Sequence, residues 1–74
     1  MNYRIKFQWD SDTKVWIATS LDVPGLILES ESFDNLLERV RIAIPELLEM
    51  NNENQPAYNL VFEAERTDRV LAHG

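Results

Sequence analysis

The sequence predicts an α+β fold: a single small domain of order β-β-β-α-β, with one helix lying on one face of a four-stranded sheet. Three observations point there. Apolar and polar residues alternate over residues 3–9 and again over 58–66, the period of half-buried strands. Between these runs Phe33, Leu36, Leu37, Val40, Ile44, Leu47 and Leu48 recur at helical spacing along one stripe. A chain of 74 residues has material for one core only, so these segments must share it.

In the first strand Tyr3, Ile5, Phe7 and Trp9 point inward and Arg4, Lys6 and Gln8 outward. Residues 10–14, DSDTK, are polar and turn-like, and residues 15–20 resume β-prone side chains, which predicts a hairpin. LDVPGL, residues 21–26, then reverses the chain. Pro24 presets φ for the second position of a type II turn, and Gly25 supplies the positive φ needed at the third. Leu26, Ile27 and Leu28 begin a third strand that fades into ESES at residues 29–32, completing an antiparallel meander.

Ser30 or Ser32 can cap the helix that follows, and Asp34 suits its positive N-terminal dipole. The apolar period runs straight through Pro45, so the expectation is one helix, Phe33–Met50, kinked before Pro45. Asn35, Glu38, Arg39, Glu46 and Glu49 form its solvent face, with Ile42 alone among them. After the polar linker at residues 51–56, the run 58–66 is a fourth strand with Tyr58, Leu60, Phe62 and Ala64 inward. A right-handed crossover brings it parallel to the first strand, in the order 3-2-1-4. The domain so defined covers residues 1–66, and residues 67–74 form a C-terminal tail without pattern. One sheet face stays open; in this reading it bears Arg4, Lys6, Gln8 and Trp16.

Composition narrows the functions. Thirteen acidic residues against seven basic give a net charge of −6, which opposes phosphate backbones and anionic membrane surfaces; Arg4 with Lys6 is only a small local exception. Without cysteine there is neither a disulfide nor a thiolate metal site, and the single His73 cannot build a histidine zinc cluster. Asp10 and Asp12 open like a calcium loop, but no Gly follows at the sixth position and Leu21 stands at the twelfth. Two glycines do not make a phosphate loop, and His73, at the end of the chain, is poorly placed for catalysis. No apolar run approaches the ~20 residues that cross a bilayer, and no signal-peptide core is present. The expectation is a cytoplasmic protein that is no enzyme and carries no cofactor, with self-association through an apolar face or sheet edge as the cheapest added stability.

Two features remain open at this level. Glu29, Glu31 and Asp34 cluster at the helix start, where they suit the dipole or greet a basic partner. Trp16 is either core or an interface anchor, depending on a hairpin register that the sequence does not state.

The stretch from Trp9 to Asn51 resembles the HicB-like antitoxin group, and within it a branch of small bacterial domains. The carriers are WD at Trp9-Asp10, VWIA at residues 15–18, DVPGL at residues 22–26, the acidic-serine approach to the helix, and IPELL at residues 44–48. The resemblance implies a partial ribonuclease H-like fold in the same β-β-β-α-β order, and a non-catalytic antitoxin that binds and neutralises a small basic messenger ribonuclease of the HicA type. It also implies oligomers. The chain departs from the group at Leu26, where many relatives place Cys, and shows no helix-turn-helix or ribbon-helix-helix module after the fourth strand. The first strand also lacks the acidic metal ligands of a working ribonuclease H. The resemblance makes Trp16, Asp22, Val23, Glu29 and Glu31 the candidate partner-binding residues. The alternative is a stand-alone homodimeric scaffold or regulatory domain without a toxin partner.

Overall fold

The computed structural model describes residues 1–53 and 55–72; His73, considered above for catalysis, lies outside them. The elements are β1 (Asn2–Asp10), β2 (Val15–Thr19), β3 (Ile27–Ser30), α1 (Phe33–Met50) and β4 (Asn59–Glu65). They form one mixed sheet of order β3-β2-β1-β4, with β1 antiparallel to β2, β2 antiparallel to β3, and β1 parallel to β4. The predicted fold class, strand order and helix bounds are those found.

Alternation along β1 sends Tyr3, Ile5 and Phe7 into the core, where they meet Leu36, Val40, Ile44 and Leu48 from the helix stripe. Phe7 is the hub: its ring centroid lies 5.1 Å from Phe33 on α1 and 5.6 Å from Phe62 on β4. The helix packs over β2 and β3. Leu60 and Phe62 of β4 are consequently only half-buried, and Ala64, expected inward, is exposed on the same side of the sheet because it lies beyond the helix's cover.

Both helix ends are closed locally. Ser32 is the N-cap, its hydroxyl accepting from the Asn35 amide at 3.2 Å. At the other end Asn52 adopts a left-handed φ of 58°, while Glu53 N–H donates to the Leu48 carbonyl and Asn52 N–H to that of Glu49. This is a Schellman closure with asparagine where glycine is usual. Pro45 sits inside the continuous helix.

Two sequence expectations are overturned. Trp16 is not on the open face: the pairs Phe7↔Ala18 and Trp9↔Trp16 put it on the helix side, half-buried, with its ring 5.0 Å from Phe33 and 5.5 Å from Trp9. Val23 is not presented to a partner: it has no exposed surface and belongs to the core with Leu26.

Candidate partner-binding surface

LDVPGL is held from three sides, and its local chemistry explains why. The Leu26 amide donates to the Val23 carbonyl at 3.2 Å and Gly25 takes φ +88°, the type II turn that Pro24-Gly25 dictates. Val23 and Leu26, flanking the turn, drop into the core. A side chain on Gly25 would begin 3.4 Å from Leu47, and Asn51 Nδ2 donates to the Pro24 carbonyl at 3.3 Å, so the turn rests on the end of α1.

The third anchor is on β1. Strand β2 ends at Thr19, which leaves the Arg4 backbone without a strand partner on that side. Side chains replace it. Ser20 Oγ donates to the Arg4 carbonyl at 2.6 Å, and Asp22 Oδ2 accepts the Arg4 amide at 2.7 Å. The same Ser20 oxygen accepts the Asp22 and Val23 amides at 3.0 and 3.1 Å, a serine turn that fixes the Asp22 carboxylate in place.

With this loop in position, the sheet face away from the helix is a mixed surface. Register places Ile27 and Glu29 of β3 beside Thr19 and Ile17 of β2, then Lys6 and Gln8 of β1, then Glu63 and Glu65 of β4. Ile27 is 71% exposed and Leu21 fully so, large fractions for aliphatic side chains. A shallow depression of about 260 Å³ lies among Arg4, Lys6, Thr19, Leu21, Asp22 and Glu63. Exposed aliphatic side chains set among charged ones make this face a candidate protein-binding patch.

Its electrostatics are acidic. Arg4 is tied to Glu63 at 2.7 Å and Lys6 stands opposite Glu63 in the parallel register, so the small basic pair is offset where it lies. Glu29 and Glu31 are both exposed, Glu29 on β3 and Glu31 between β3 and α1; Arg39 Nη1 spans to the Glu29 carbonyl at 2.8 Å, leaving the Glu29 carboxylate outward. Of the five predicted contact residues, Asp22, Glu29 and Glu31 therefore reach the surface, whereas Trp16 is half-buried on the opposite face and Val23 is core. Leu21, Ile17 and Ile27 join the surface without having been singled out by sequence. The pattern Ile17-x-Thr19 against Ile27-x-Glu29 shows the two isoleucines only once the register is known.

Among the described residues two groups carry shifted acidities. Asp10 is held below the usual carboxylate range by the Thr13 hydroxyl at 2.9 Å and the Asp12 amide at 3.0 Å, the marks of a turn cap rather than a calcium ligand. Burial, with the Glu53 carboxylate 3.5 Å from its hydroxyl, pushes Tyr3 above the ordinary phenol value. Among the described residues no group of three or more His, Cys, Asp or Glu is arranged to hold a metal ion, and no helix is long and apolar enough to cross a membrane.

No curated protein matches the chain. Among solved structures it is similar to a hypothetical protein of the extremely thermophilic bacterium Thermus thermophilus, at 30% identity and a TM-score of 0.74, over 97% of this chain and 100% of that one. Residues 2–73 match the family described as a domain of unknown function, DUF1902, and the chain belongs to that family.

Proposed function

We propose that the chain is a non-catalytic, HicB-like antitoxin-type protein whose open sheet face binds and neutralises a small basic messenger ribonuclease of the HicA type. The observation that carries this reading is the open face itself: exposed Leu21 and Ile27 beside Asp22, Glu29 and Glu31, on a chain of net charge −6. The aliphatic side chains supply apolar contact, and the carboxylates steer a cationic partner toward it and set its orientation. The resemblance of residues 9–51 to HicB-like antitoxins, which implies the β-β-β-α-β element order present in this chain, supports the same assignment. Covering a ribonuclease requires no chemistry from the covering protein, only a fitted surface that excludes RNA.

The test is co-expression with the products of the neighbouring reading frames, followed by an RNA-cleavage assay on any small basic partner with and without an equimolar amount of this chain. Cleavage that stops at stoichiometric addition is the expected result. A partner that forms no complex, or cleaves undiminished within one, overturns the assignment and leaves the stand-alone scaffold.

A further inference from the structure

Strand β4 is an edge: β1 pairs one side of it, and among the described residues nothing pairs the other. Past Glu65 the chain continues through residues 66–72 without a regular element of its own. It does not fold back. The radius of gyration is 14.7 Å, against about 11 Å for a compact chain of this length. The longest dimension is 56 Å and the other two 20 and 18 Å. The 18-residue helix accounts for about 27 Å and the longest strand for about 30 Å, and the remaining ~26 Å is close to the ~23 Å that the seven residues 66–72 span as an extended arm.

The root of the arm is anchored, with the Arg66 guanidinium 4.2 Å over the Trp9 ring and paired to Asp68 at 3.1 Å. Its outer part is apolar and in water: Val70 is 84% exposed and Leu71 72%. The arm also differs in charge from the body, holding two of the seven basic residues, Arg66 and Arg69, but only Asp68 of the thirteen acidic ones.

We propose that this arm adds to the β4 edge of a second copy of the chain, reciprocally, as an antiparallel strand pair with its two-fold axis at Thr67. The charges select that register. It sets Arg66 opposite Asp68 of the second copy and Glu65 opposite its Arg69, each pair made twice by symmetry. It also lays Val70 beside exposed Ala64 and Ala72 beside half-buried Phe62, on the helix side of the sheet where β4 lies beyond the helix's cover, and puts Leu71 diagonal to Val61 on the open face. The open edge gains the main-chain hydrogen bonds it lacks. Centring the pair on Phe62 instead would set Glu63 opposite Val61 and Glu65 opposite Asn59, making no opposite-charge pair, and would leave Val70 and Leu71 in water.

The chain has no cysteine, so Thr67→Cys introduces a single thiol at the axis. Residues facing each other across an antiparallel pair have Cα atoms about 4.5–5.5 Å apart, within disulfide reach. Mild oxidation should convert this variant to a covalent dimer, while the control Asn35→Cys on the exposed helix face stays monomeric. Glu65→Arg and Arg69→Glu each place like charges opposite one another and should weaken self-association at least tenfold by light scattering, with unchanged circular dichroism. Mixed in equal amounts, these two variants restore both opposite-charge pairs and should form a heterodimer. A monomeric wild type, a Thr67→Cys variant that does not cross-link, or a dimer indifferent to the two charge variants would overturn the proposal.

Discussion

Asp22 sits on the candidate surface and is also a structural part of it, because its carboxylate closes the Arg4 amide that β2 stops short of reaching. Removing the acceptor strands a backbone donor, whereas removing the charge alone does not. Asp22→Ala should cost about 1 kcal/mol in denaturant unfolding, and Asp22→Asn, which keeps an acceptor oxygen, distinctly less. Partner binding is therefore best probed with the asparagine variant. Asp10 gives a pH signature of its own. Its folded-state pKa lies below the unfolded value, so the fold binds its proton less readily; the stability this contributes is present above the unfolded carboxylate pKa and is lost as pH falls through the folded one. The stability difference between wild type and Asp10→Asn should narrow on acidification below about pH 4 and stay constant above it.

At the scale of elements, α1 tolerates a proline in its interior. Pro45 offers no amide to the Arg41 carbonyl, yet the helix runs through it because Ile44, Leu47 and Leu48 on either side are tied into the core or packed against it. Tertiary packing outweighs the local defect. Pro45→Ala should accordingly raise the unfolding midpoint, with a gain of about 1–3 kcal/mol. The helix and β1 are legible in the sequence because each shows a single period to one core, and β4 because its alternation matches β1. Strand β2 is not legible in register. Trp16 and Ile17 are adjacent and both apolar, so the pattern does not say which one faces the helix, and the pairing Trp9↔Trp16 decides it. Val23 escapes a sequence reading for a different reason: a residue between turn formers reads as exposed, while the Ser20 and Asp22 bonds to β1 pull this loop inward far enough to bury it. The acidic half of the candidate site is visible as charge. Its apolar half, Leu21, Ile17 and Ile27, depends on strand pairing and so emerges only with the fold.

At the scale of the whole molecule, the helix covers one sheet face, leaving the opposite face and the β4 edge as separate surfaces. The face is mixed, with exposed aliphatic side chains among an excess of carboxylates, and is the one proposed for a cationic protein; the edge continues into a mildly basic arm and is the one proposed for another copy of the chain. The two roles are compatible, since binding at the face leaves the outer edge of β4 free. The central claim is that the open face neutralises a basic ribonuclease, and the most direct measurement is rescue. Cells expressing a basic partner recovered by the co-expression would receive either the wild-type chain or the variant Asp22→Asn with Glu29→Arg and Glu31→Arg, and growth and messenger RNA integrity would be followed. The account predicts that the wild type restores both and the triple variant neither. Equal rescue by the two chains would contradict the assignment of the surface, and no rescue by the wild type would contradict the function itself.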